Sequence, residues 1–170
     1  MKLDIRAISK DYSKKNILVI GDIILDAYVY GKVDRISQEA PVPIVSVHGK
    51  EFKPGGAANV ALNLAGLGAR VTLMGIVGKD VHYEHLKNCL NKETKIVCKV
   101  IESESRPTSI KTRIIADNRQ LARLDDELTD EISDENVSNF INKIDKNIKD
   151  FDGVIIQDYN KGLLTSSLIK

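Results

Sequence analysis

The stretch FKPGGAANVALNLAGLGARVTLMGIVG, Phe52 to Gly78, constrains the fold of this chain more than any other. Gly55 and Gly56 stand directly before a smooth helical pattern. That helix is predicted over Gly56 to Leu67, with Val60, Leu64 and Leu67 on one face. Gly68 sits where a C-terminal cap belongs. ARVTLMGIVG then reads as a buried strand. A strand, a glycine pair, a helix and another strand in such close order require an α/β arrangement.

The rest of the sequence extends that arrangement. Lys2 to Lys15 reads as a short amphipathic helix and NILVIG, Asn16 to Gly21, as a buried parallel strand. AYVYG and PIVSVH read as more exposed strands, with Pro41 and Pro43 holding the second off the centre of a sheet. Asp80 to Leu90 is predicted helical and Thr94 to Glu102 extended. TSIKTRII and QLARLD alternate and join through the turn-like pair Asp117-Asn118. Ser133 can cap a polar helix to about Lys149, FDGVIIQD is again a strand, and Thr165 can cap a new helix. The expected fold is α/β: one mostly parallel sheet flanked by helices, with a few antiparallel strands added. At 170 residues the chain suits one domain. SSLIK begins a helix and stops after one turn, so the chain is expected to be incomplete at its C-terminus.

Charge excludes some partners. Twenty-five basic residues against 24 acidic ones leave a net charge of +1, which offers no bulk attraction to nucleic acid or an anionic membrane. No apolar run reaches the length of a membrane span, and the first residues lack a signal-peptide core. Cys89 and Cys98 then read as reduced thiols in a cytoplasmic protein. Their spacing fits no metal motif, and His48, His82 and His85 read as surface residues, so no metal ligands are expected in this chain.

Several residues sit where such a sheet would hold a ligand. A strand–Gly–Gly–helix junction leaves amide hydrogens free at a helix start, and these favour oxygen-rich or anionic groups. Asn59, one turn in, both donates and accepts. Close helix–sheet packing would explain the same small residues. The run is neither the G-x-G-x-x-G fingerprint nor a P-loop. Asp22 and Asp26 follow the first strand, at the edge where ligands collect, and can accept from hydroxyls; turn chemistry and surface charge are their plainer roles. Lys111 and Arg113 share a strand face, and Arg119 and Arg123 come from the neighbouring segment. Four cations there could clamp a phosphate, or simply protect a solvated edge, and Asp125, Asp126 and Glu127 could neutralise them. Asp158 to Gly162 follow another strand end, as functional rim or polar turn.

The run GGAANVALNLAGLGARVTLMGIVG resembles the first signature of the ribokinase-like (PfkB) carbohydrate kinases. Within that family, ILVIGDIILDAYVYG, RISQEAPVPIV, FKPGGAANVALNLAGLGA, TSIKTRII, RQLARLD and QDYNKGLLT are similar, in order, to the kinases of D-glycero-β-D-manno-heptose 7-phosphate. The resemblance implies a ribokinase-like fold in which residues 1–170 form the sugar-binding half. Strands near 27–31, 42–48 and 108–125 would form a small β lid that also makes a homodimer contact. It implies sugar contacts for Asp22, Asp26, Gly55, Gly56 and Asn59. Lys111, Gln120 and Arg123 would face the sugar phosphate, with Asp158 and Lys161 near the phosphoryl-transfer site. Asp117 stands where these kinases commonly carry Arg, and Arg119 where they carry Gln, which weakens any role for Arg119.

The implied reaction is phosphoryl transfer from ATP, with Mg²⁺, to the C1 hydroxyl of heptose 7-phosphate, in ADP-heptose and lipopolysaccharide core synthesis. The family's G-A-G-D segment is absent, so the catalytic base is expected beyond Lys170 and no catalytic residue within the chain. The chain alone is expected not to turn over ATP. Alternatives are a kinase for another phosphorylated sugar, or a non-catalytic domain that binds sugar phosphate or dimerises.

Overall fold

The computed structural model describes residues 12–145 and 148–169, so the helix predicted over Lys2 to Lys15 lies almost wholly outside the described residues. Strand β1 (Asn16–Gly21) is central, as its unbroken apolar run requires. It pairs in parallel with β4 (Arg70–Met74) and β10 (Gly153–Gln157), and β4 pairs in parallel with β6 (Ile96–Cys98). The resulting sheet has the order β10-β1-β4-β6. One face packs Val19, Val71 and Leu73 against the alanines of α1 (Ala57–Gly66). The opposite face packs Leu18, Ile20 and Met74 against Val137 and Phe140 of α3 (Asp134–Asp145), with Ile132 and Leu163.

A second sheet, order β3-β2-β8-β9, leans on the first core. It contains β2 (Ile23–Ile36), β3 (Pro43–Gly56), β8 (Ser109–Ala116) and β9 (Arg119–Asp126). The β2–β3 and β8–β9 pairs are antiparallel, and β2–β8 is parallel. Leu25, Ala27 and Ile110 face the core with Tyr83, Leu86 and Leu90 of α2 (Val81–Leu90). The edge position of β3 agrees with its prolines. Asp117 and Asn118 both take positive φ, 51° and 61°, as a two-residue hairpin with the right-handed sheet twist demands.

Three expectations need correction. The buried face of α1 is Ala57, Ala58, Ala61 and Ala65, while Leu67 is 50 % exposed. Methyl-sized side chains bring the helix close to the sheet, and the larger residues fall to its flanks. ARVTLMGIVG is two strands, β4 and β5 (Ile76–Gly78), interrupted at Gly75. A Cβ there would lie 2.5 Å from the Ile23 side chain and 2.7 Å from the Gly21 carbonyl oxygen, so the chain steps aside where β1 passes into β2. The segment Thr94 to Glu102 breaks in step, into β6 and β7 (Ile101–Ser103), and β7 follows β5 into a separate two-stranded sheet. His82 and His85 are half-buried, and the His85 ring stacks on Phe52 at 4.1 Å. The final helix, α4 (Ser166–Ile169), is capped as predicted, with Thr165 Oγ1 accepting from the Leu168 N–H.

Candidate functional site

The glycine pair ends β3 and opens α1. Gly56 has φ 55° and ψ −135°, a conformation natural only to glycine, and the Ala57 N–H that follows donates to the Asp22 carbonyl at 2.9 Å. A Cβ on Gly56 would lie 2.3 Å from that same carbonyl oxygen. Gly55 is bare for a different reason. A Cβ on it would lie 2.4 Å from Asp26 Oδ2, so the carboxylate of β2 rests directly over the glycine of β3. No side chain caps α1 and no acidic residue occupies its first turn; its first N–H is taken by the Asp22 carbonyl instead. Asn59 is exposed in that first turn.

The second sheet turns one face to the core and the other, strongly charged, outward. Strand register places Asp26 between Lys53 of β3 and Lys111 of β8, and Tyr28 between Glu51 and Arg113. Across β8–β9, Lys111 meets Asp125 and Arg113 meets Arg123. The side chains pair accordingly. Arg113 Nη1 donates to Asp26 Oδ1 at 2.5 Å, and its guanidinium lies 5.3 Å from the Tyr28 ring centre. Lys111 Nζ donates to Asp125 Oδ2 at 2.8 Å and to Glu127 Oε2 at 3.0 Å. Arg123 Nε donates to Asp125 Oδ1 at 2.8 Å. Lys161, from the loop after β10, donates through Nζ to Glu127 Oε1 at 2.7 Å.

These contacts tune the charges. Burial pulls the Lys111 ammonium down, but Asp125 and Glu127 outweigh it and hold its pKa above the ordinary lysine value. Asp26 raises Arg113. Burial pushes Glu127 up, yet hydrogen bonds from Lys161 and then Lys111 hold it below the usual carboxylate range. Lys111, and then Arg123, lower Asp125.

The loop after β10 is fixed from three sides. The Lys161 N–H and the Tyr159 N–H donate to Asp22 Oδ2 at 3.1 and 2.8 Å. The Lys161 carbonyl accepts from Arg106 Nη1 at 2.8 Å, and the Lys161 ammonium holds Glu127. Asp158 Oδ1 accepts from the Asn160 N–H at 2.7 Å in an Asx turn, and Asn160 and Gly162 take φ 56° and 77°.

The predicted site residues therefore divide. Asp26, Gly55, Lys111, Arg123 and Lys161 come together around the charged face and its rim. Gly56 shapes the junction. Asp22 departs from the expected sugar contact: only 3 % exposed, its carboxylate is committed to the backbone of the β10 loop. Asp158 is an exposed turn residue at the same rim. Gln120 is exposed opposite Ile115, next to the hairpin turn and outward of Lys111 along the sheet. Of the four cations read as a clamp or a solvated edge, Lys111, Arg113 and Arg123 are paired with carboxylates, among them Asp125 and Glu127 as the sequence allowed, and Arg119 makes no part of these pairs.

Two supporting devices escaped the sequence reading. Arg106 donates to the carbonyls of Leu128, Asp130 and Lys161, tying the end of β9 to the β10 loop. Asp80 caps α2 through the Tyr83 N–H at 2.9 Å and also accepts from the Thr108 N–H at 2.7 Å. Burial pushes Asp80 up, but these backbone donors outweigh it and its pKa falls. A lone Arg in SESRPT carries no periodic signal. An Asp before an apolar helical pattern is the ordinary signal of a cap and could have marked Asp80, but nothing in the sequence joins it to Thr108.

The profile of the pfkB family carbohydrate kinases matches residues 14–158. The chain belongs to the pfkB family of carbohydrate kinases. Among curated proteins, this pfkB chain is 44 % identical over 154 residues to "Bifunctional protein HldE" of Helicobacter pylori (strain G27), covering 91 % of the chain and 33 % of the relative. It is 42 % identical over 159 residues to the protein of the same name from Vibrio atlanticus (strain LGP32), covering 94 % and 33 %. The chain thus spans about a third of the length of the curated relatives it matches. Among solved structures, a "Possible 1-phosphofructokinase" from Thermotoga maritima superposes with a TM-score of 0.64 at 20 % identity, covering 83 % of this chain and 44 % of that one. Arabidopsis thaliana ribokinase complexed with ribose and ATP gives 0.54 at 17 % identity, covering 73 % and 41 %. These two likenesses show the fold alone.

Proposed function

We propose that this chain is the sugar-binding part of a kinase that phosphorylates D-glycero-β-D-manno-heptose 7-phosphate at C1. The observation that carries the reading is the meeting of Asp26, seated over Gly55, with Lys111, Arg113, Arg123 and Lys161 on one sheet face and its rim. The Asp26 carboxylate suits sugar hydroxyls, and the exposed Asn59 adds a group that both donates and accepts. A cluster of four cations and three carboxylates carries a net positive charge, which suits a phosphate held away from the reacting hydroxyl. Lys111, Gln120 and Arg123 take the phosphate side; Glu127 joins Lys161 to Lys111, which brings Lys161 to that side as well and leaves Asp158 at the rim nearer the transferred group. The second sheet acts as a lid over the sugar and as the contact of a homodimer.

When bound, ATP with a divalent metal supplies the phosphoryl group in this family's reaction. The described residues do not fit the metal. Among them no group of three or more His, Cys, Asp or Glu could hold a metal ion, and the sequence contains no G-A-G-D. The part of these residues is to bind, orient and neutralise, the contributions on which phosphoryl transfer chiefly depends. Among the described residues no helix is long and apolar enough to cross a membrane, and a cytoplasmic location is part of the proposal.

Calorimetric titration with heptose 7-phosphate, fructose 6-phosphate, ribose and adenosine tests the reading. Heptose 7-phosphate is expected to bind tightest, and ribose and adenosine to bind weakly or not at all. Equal or tighter binding of fructose 6-phosphate would transfer the proposal to another sugar phosphate. Tighter binding of ribose or adenosine would overturn it.

A further inference from the structure

Glu127 lies just past the end of β9 and belongs to no recognised binding motif in the sequence. Its two carboxylate oxygens hold two different ammonium groups: Oε2 holds Lys111 at 3.0 Å and Oε1 holds Lys161 at 2.7 Å. All three side chains are nearly sealed, at 15, 16 and 15 % exposure for Glu127, Lys111 and Lys161. Lys111 reaches this point from the second sheet and Lys161 from the rim of the first. Two ammonium groups confined so close together repel, and long lysine side chains otherwise swing into water. A carboxylate between them is what keeps both in place.

We infer that Glu127 is the positioning residue that sets Lys111 and Lys161 as a matched pair for the phosphate of the substrate. The inference rests on the sugar-phosphate reading of the site and deepens it. Each ammonium has three donors. Lys111 uses one on Asp125 and one on Glu127, and Lys161 uses one on Glu127, so donors remain on both for a phosphate monoester. Glu127 need not leave for the phosphate to bind. It fixes the spacing of the two lysines before the ligand arrives, which lowers the ordering cost of binding. Arg106 secures the same segment at the carbonyls of Leu128 and Asp130, so the backbone carrying Glu127 stays in place when its side chain is changed.

The test is calorimetric titration of the full 170-residue chain and its Glu127→Gln variant with two probes, heptose 7-phosphate and the unphosphorylated heptose. Glutamine keeps the shape and removes the charge. The phosphorylated sugar is expected to lose roughly tenfold or more in affinity, the scale of one charge-assisted hydrogen bond, while the plain sugar is unchanged. Glu127→Asp should recover part of the loss. Equal loss for both probes would mean general disruption and overturn the inference, as would no loss for either. Failure of the unaltered chain to prefer the phosphorylated sugar would instead overturn the functional reading beneath it. If the variants do not fold, lysine side-chain NMR on the unaltered chain decides. The Lys111 and Lys161 ammonium signals are expected to shift together as heptose 7-phosphate is added, and silence of either one would overturn the inference.

Discussion

Gly55 and Gly56 are adjacent and unlike. Gly56 is needed for its backbone: φ 55° with a carbonyl 2.3 Å from where a Cβ would stand. Gly56→Ala should therefore destabilise the fold by about 1–3 kcal/mol, read as a lower melting temperature. Gly55 is needed for its neighbour: a methyl group there collides with the Asp26 carboxylate, the far end of a side chain. Gly55→Ala should displace that carboxylate from Arg113, weakening sugar binding more than it lowers the melting temperature. Equal effects of the two substitutions on stability would contradict this division. Asp26→Ala and Asn59→Ala should each weaken sugar binding by roughly 1–3 kcal/mol for a lost buried partner, measured by titration. Unchanged affinity would return both residues to packing and surface roles. At this scale the sequence showed which residue types gather at strand ends, because strand order follows from alternating strands and helices. It could not show that Asp22 turns inward onto the Tyr159 and Lys161 amides while Asp26 stays on the open face. Both precede apolar residues in the same short run, and only the bend after β1 separates them.

At the scale of elements, the ion cluster joins β8 and β9 to the loop after β10. Glu127 and Asp125 have depressed pKa values in the folded chain, so their stabilising contribution is present above the ordinary carboxylate range and lost as pH falls through the folded values. Thermal melts of the chain and of Glu127→Gln should differ most near neutral pH and converge as pH falls below the ordinary carboxylate range. A difference constant with pH would show that Glu127 acts through shape alone. Lys111, raised instead, contributes below its unfolded value and loses that contribution only as pH rises past its folded one. On the opposite side of the first sheet, α3 is anchored by the fully buried Phe140. Phe140→Ala should cost about 3–5 kcal/mol, with sugar affinity preserved in whatever remains folded. Hydrophobic period and turn chemistry made the helices and the β8–β9 hairpin legible. The breaks at Gly75 and between β6 and β7 were not: the first follows from the close approach of Ile23 and Gly21, and β7 then pairs with β5, neither of which the local run shows.

As a whole molecule, the chain spans about a third of its curated relatives, and its described residues offer no cluster to hold a metal. The second sheet exposes Leu124, 54 % accessible on edge strand β9, on the face opposite Lys111 and Asp125. If this sheet is the homodimer contact, Leu124→Asp should shift sedimentation toward the monomer without changing sugar affinity. The most direct measurement is a crystal structure of the chain with heptose 7-phosphate bound. The phosphate should lie within hydrogen-bond distance of Lys111 or Lys161, with sugar hydroxyls on Asp26 and Asn59. A phosphate seated elsewhere, with Asp26 still paired only to Arg113, would contradict the account.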